Sequence, residues 1–234
     1  MLEFDHHIPE GARDGAPLIV LLHGRGSDRS DLMALRAHLP AEALVVAPDA
    51  PFPGAPWGYG PGRAWYRFLG RDRPEPESFE TGQQALEAFL RALPAHLPVA
   101  PGPLVLGGFS QGGTMSVAYA LRNPGRAAMV LNFSGFLADH PSVQARPETV
   151  RGTRFFWGHG TEDPSIPFAL AVEGRAALSA AGASLDARDY PIGHWIDRTE
   201  LRDAMTWLRD GLLAATGANR SERTESPPAP ASDP

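Results

Sequence analysis

The chain of 234 residues has no cysteine, and all 21 of its basic residues are arginine. Without cysteine there is no disulfide, no thiolate metal site and no cysteine nucleophile, which fits a cytoplasmic protein. Without lysine a phosphate loop would lack the cation that reaches the outer phosphates of a bound nucleotide. Basic runs are missing too, and a formal charge of -6 argues against a nucleic-acid partner. The longest apolar runs, such as "PLIVLLHG", are too short to span a bilayer, so no integral membrane association is expected. The opening "MLEFDHHIPEGARDGA" lacks the basic start and continuous apolar stretch of a signal peptide.

What is present is material for a folded domain: 43% hydrophobic and 21% charged residues, near the globular average. Short, continuous apolar runs alternate with longer segments of helical period, the pattern of a parallel sheet buried between helices. Strands are predicted at 18–23, 44–48, 104–109, 128–134, 153–159 and 185–191. Helices are predicted over 30–38, 79–93, 112–122, 167–181 and 197–214. Between them, the Pro-, Gly- and aromatic-rich stretch 50–78 reads as a long ordered loop. The last residues, 217–234, lose apolar periodicity and are expected to be a disordered tail behind a single domain of residues 1–216.

The stretch "VLGGFSQGGTM" at 105–115 raises two chemistries. Read as a phosphate loop, it carries Gly113 where the lysine belongs, and the second cluster, Gly24-Arg25-Gly26, fails a dinucleotide pattern at Arg29. Read as G-x-S-x-G, it fits: a strand precedes Ser110, a helix follows, and Gly108 and Gly112 remove side chains that would crowd a strained turn. Ser110 is therefore the expected nucleophile. A serine hydroxyl needs a base and an acid to orient that base, in the chain order serine, acid, histidine. Of the eight histidines, His140, His159 and His194 follow Ser110. His194 lies in a loop after the last predicted strand and also follows the acid candidate in "GTEDPSIP". Asp163 is preferred over Glu162 because its side chain is short and Pro164 restricts its backbone. His159 precedes the acid and reads as a structural residue at a strand end. An oxyanion hole would take the N–H of Gln111, after the nucleophile, and that of Arg25, in the loop "LLHGRGSD".

These residues resemble the phospholipase/carboxylesterase family of α/β-hydrolases, which includes the acyl-protein thioesterases. The likeness rests on "LHGRG" at 22–26, "GRAWY" at 62–66, "GFSQGG" at 108–113, "DPSIP" at 163–167 and "GH" at 193–194. It implies an α/β-hydrolase fold, a mostly parallel central sheet with helices on both faces. It also implies cofactor-free, metal-free hydrolysis of a small-molecule ester or thioester by Ser110, Asp163 and His194, with Arg25 and Gln111 as oxyanion donors. Eukaryotic relatives commonly carry an apolar residue where this chain has Arg25, a charge expected to alter substrate preference. Residues 135–152 are too few for a helical cap domain, leaving an open site whose acyl-chain contacts would fall to Trp57, Trp65 and Trp195. The competing function is a ligand-sensing module of the same fold with little turnover.

Overall fold

A computed structural model describes residues 1–71 and 73–224, with side chains described as far as 215. Seven strands form one sheet in the order β1-β3-β2-β6-β7-β8-β9. These are β1 (Phe4–His7), β2 (Leu18–Leu22), β3 (Leu44–Pro48), β6 (Leu104–Phe109), β7 (Met129–Phe133), β8 (Arg154–Gly160) and β9 (Ser184–Tyr190). All neighbours run parallel except β1, which pairs antiparallel with β3. The six predicted strands are present within a residue or two of their expected ends. The strand that prediction missed is β1: "FDHH" is short, polar and at the sheet edge, where one flank needs no apolar side chain.

Alternation along each buried strand divides the core in two. Leu18, Val20 and Leu22 of β2 and Leu106 of β6 face α2 (Pro76–Ala92), α3 (Gln111–Arg122) and α5 (Phe168–Ala180), meeting Phe79, Phe89 and Met115. Ile19 and Leu21 of β2 and Val105 of β6 point the other way, toward Leu32 of α1 (Ser30–Met33) and Trp207 and Leu208 of α6 (Arg198–Thr224). Helices on both faces explain why these strands read as continuous apolar runs.

The other differences from expectation are local. A 3-10 turn replaces the second half of the first helix, at Ala34–His38. The predicted loop 50–78 contains a small hairpin, β4 (Phe52–Pro53) with β5 (Arg63–Ala64), and its last residues already belong to α2, which Pro76 opens with a preset φ. A short helix, α4 (Pro147–Val150), stands between β7 and β8. It has only four residues, and the described segment holds no cap domain. The last helix does not stop at 214 but continues to Thr224, into the stretch expected to be a tail; 225–234 lie outside the described residues. No helix among the described residues is long and apolar enough to cross a membrane.

Among the described side chains of helix α6, Glu200 is a buried ionisable group. Glu200 is fully buried, its carboxylate lying against Gly158 of β8, where a Cβ would collide with Oε1. Neither carboxylate oxygen has a hydrogen-bond partner among the described residues. Burial, and secondarily the like charge of Asp197, push its pKa up to about 8 from an ordinary 4.5, against the pull of Arg175. A raised folded-state pKa means that the stability this group allows is complete below 4.5 and is lost as pH rises through about 8. The unfolding free energy of the parent is expected to fall relative to that of Glu200→Gln by up to about 1.4 kcal/mol per pH unit inside that window. Urea unfolding of both proteins across pH 5 to 8 reads this directly; parallel curves would show that Glu200 ionises freely.

Candidate active site

Ser110 sits between the end of β6 and the first residue of α3 with φ 55° and ψ -115°, a strained backbone for a residue with a side chain. Its N–H donates to Phe133 O at 2.8 Å and its carbonyl accepts from Thr114 N at 3.0 Å, so both flanks of the turn are fixed. The flanking glycines are steric necessities. A Cβ on Gly112 would overlap Leu22 O, and one on Gly108 would overlap the Gly112 backbone. The turn can pack this tightly against β2 only with glycine at both places.

Asp163 and His194 arrive on two loops that are stitched together. Thr161 N donates to Tyr190 O at 2.8 Å and Glu162 N to Ile192 O at 3.0 Å, joining the turn after β8 to the loop after β9. A Cβ on Gly160 would overlap the carbonyls of Ile192 and Gly193, which sets how closely the loops approach. That approach places Asp163 Oδ2 2.6 Å from His194 Nδ1, and His194 Nε2 3.0 Å from Ser110 Oγ. The imidazole also packs on the Phe109 ring, with centroids 4.7 Å apart. Glu162, next in sequence to Asp163, points to solvent.

Asp163 is oriented from several sides. Its Oδ1 accepts from the N–H groups of Ser165 and Ile166, each at 2.8 Å, in a turn that Pro164 initiates. Burial alone would raise its pKa, but hydrogen bonds from His194 and these amides outweigh burial and hold the carboxyl below the usual range. Beneath it, fully buried His159 donates from Nε2 to Ile166 O at 2.9 Å and stands 3.6 Å from Asp163 Oδ2. Burial lowers its pKa, so it is a neutral brace for the acid turn. Asp189, another carboxylate of this region, is committed to Arg175.

The remaining predicted site residues lie around the loop after β2. Neither the Arg25 nor the Gln111 backbone N–H has a protein acceptor among the described residues. The loop is held by Gly26 N donating to Arg63 O at 2.8 Å and Arg63 N to Ser27 O at 2.6 Å. His23 fixes it from below: its Nε2 accepts from Ala50 N at 3.0 Å, so Nδ1 bears the proton that goes to Gly24 O at 2.7 Å. Of the three tryptophans expected at the site, Trp195 is 56% exposed beside His194 and Trp57 is half-buried against Phe52. Trp65 is different. It is completely buried, its Nε1–H donating to His23 O at 3.0 Å, and it has no surface to offer an acyl chain. An indole with one N–H serves as well in a core as at a surface, and the sequence around Trp65 does not distinguish the two.

What sequence reasoning missed is the work of the Gln111 side chain. Its Oε1 accepts from Trp65 N at 3.1 Å and its Nε2 donates to Tyr66 O at 2.9 Å. The elbow is thereby clamped to the "GRAWY" segment, and the glutamine of "GFSQGG" gains a mechanical meaning. The available signal was the joint presence of both motifs, without a residue pattern that pairs them.

A family model described as Phospholipase/Carboxylesterase matches residues 5–211. The chain belongs to the phospholipase/carboxylesterase family. Similar to it is a probable carboxylesterase of Oryza sativa subsp. japonica, 34% identical over 120 residues, a match that spans 50% of this chain and 45% of that protein. A second probable carboxylesterase of the same plant is 26% identical over 88% of this chain and 93% of its own length. Among solved structures, esterase PE8 is similar with a TM-score of 0.76 and 29% identity, covering 89% of this chain and 98% of that one. The family's α/β-hydrolase architecture is the one described above.

Proposed function

We propose that the protein is a serine hydrolase that cleaves carboxylic esters of small to medium acyl chains, and thioesters as a second substrate class, with residues 1–216 as its catalytic domain. The observation that carries the reading is the unbroken hydrogen-bonded chain from Ser110 Oγ through His194 to Asp163, at a strained turn beside two unused backbone N–H groups. Relatives are named carboxylesterase and acyl-protein thioesterase, which supports both substrate classes.

In this mechanism Ser110 Oγ attacks the acyl carbon while His194 Nε2 takes the hydroxyl proton. Asp163 accepts the Nδ1–H of the imidazole throughout and stabilises the imidazolium. The carbonyl oxygen, now negative, is held by the N–H groups of Gln111 and Arg25, the first of them at the N-terminus of α3. His194 returns the proton to the departing alcohol or thiol, leaving an acyl ester on Ser110. Water then attacks that ester, giving a proton to His194, which passes it to Ser110 Oγ as the acyl–oxygen bond breaks and the acid is released.

Initial rates on a series of esters and thioesters of increasing acyl length test the reading. Steady multiple turnover is expected, together with covalent labelling of Ser110 by a fluorophosphonate. Binding without turnover across the series would favour a ligand-sensing module instead.

A further inference from the structure

Arg25 is an exposed cation whose own backbone N–H is one of the proposed oxyanion donors, so its charge can lie no farther than one side-chain length from that donor. Its guanidinium carbon lies 4.8 Å from the Tyr59 ring centroid and 5.8 Å from that of Phe68. Both rings are half-buried and anchored. Phe68 N donates to Tyr59 Oη at 2.8 Å, and the Phe68 ring packs on Phe136, whose N–H reaches Thr114 Oγ1 of α3 at 3.1 Å. Aromatic contact holds a guanidinium while leaving its charge in place and its N–H edge available to an acceptor.

Neighbouring arginines are used differently. Arg63 ends on the carbonyls of Ala50 and Pro51, Arg67 faces Glu75, and Arg71 faces Glu173. Arg25 makes no ion pair among the described residues. On a protein of net charge -6, an anionic substrate is repelled in general and attracted at this spot.

We propose that Arg25 makes the site selective for esters that carry a second, anionic group, a carboxylate in the simplest case, which the guanidinium edge receives by charge-assisted hydrogen bonds. This inference rests on the hydrolase reading above. Because the cation is exposed, the expected discrimination is about fivefold at low ionic strength, and it weakens with salt.

The test measures kcat/KM on two matched pairs. Monophenyl adipate against phenyl hexanoate puts the anion on the acyl side; para-acetoxybenzoate against para-acetoxybenzamide puts it on the alcohol side. The readout is the anionic-over-neutral ratio in the parent divided by that in Arg25→Leu, which cancels any effect of the substitution on both substrates. A quotient of about five in either arm, intermediate in Arg25→Lys, supports the proposal and identifies the side. A quotient near one in both arms overturns it. Should Arg25→Leu fail to fold, the parent's own ratio serves: it should fall as sodium chloride is raised, and a salt-independent ratio overturns the proposal. Neutral-ester turnover that disappears in Ser110→Ala shows independently that the hydrolase reading stands; no turnover of any ester removes both.

Discussion

Ser110→Ala is expected to remain folded while kcat/KM on a simple ester falls by about 10⁴ to 10⁶. The fold is not at stake because, among the described residues, the hydroxyl makes one hydrogen bond, with His194, and the turn is held by backbone hydrogen bonds to Phe133 and Thr114. Alanine keeps the Cβ that this backbone already accommodates. Activity is at stake because neither the oxyanion donors nor His194 can form the acyl intermediate without the oxygen. Some rate over water persists, since N–H groups aimed at developing charge still act on direct attack by water. Melting temperature, fluorophosphonate labelling and kcat/KM together make the measurement. A variant retaining more than about a tenth of parental activity, far above that range, would take Ser110 out of the mechanism.

Asp163→Asn should lower kcat by about 10⁴, while Glu162→Gln changes it by less than about threefold. The difference follows from where hydrogens must go. Asp163 Oδ1 is bound to two backbone donors, Ser165 N–H and Ile166 N–H, so an asparagine there keeps its oxygen on that side. Its amide nitrogen then faces His194 Nδ1, which must become an acceptor. The imidazole proton moves to Nε2, the atom facing Ser110, and the base is lost through its tautomer with little change in geometry. Glu162 is exposed, and the bond that ties it to the loop of His194 comes from its backbone N–H, which glutamine retains. Steady-state kinetics on the two variants decide the assignment. Should Glu162→Gln be the more damaging, the acid has been misassigned while a serine mechanism survives.

Much of this geometry was legible in the residues because it is local. The glycines around Ser110 mark a single tight turn, and the overlap of a Cβ at Gly108 with the Gly112 backbone is built into the path that "GFSQGG" must follow. The order of Ser110, Asp163 and His194 along the chain is likewise a sequence property, and so is the pairing of Asp163 with Pro164 that separates it from Glu162. The buried strands announced themselves by apolar runs covered on both faces. By contrast, β1 carries two histidines and an aspartate and is a strand because β3 offers it an unpaired edge.

The amino-acid sequence by itself determined the alternation of strands and helices and the strand–turn–helix path around Ser110, because these depend on propensity, periodicity and sterics over a few residues. Only the tertiary structure decided what each side chain meets across the fold. It buried Trp65 and left Trp195 exposed, though both are tryptophans near a glycine. It turned the Gln111 side chain to the backbone of Trp65 and Tyr66, more than 40 residues away in sequence by the separations of 46 and 45. It enclosed Glu200 against Gly158 and set Arg25 on the rings of Tyr59 and Phe68. The physical reason is the same in each case: burial and electrostatic environment are sums over neighbours brought together from distant parts of the chain, and no local pattern contains them.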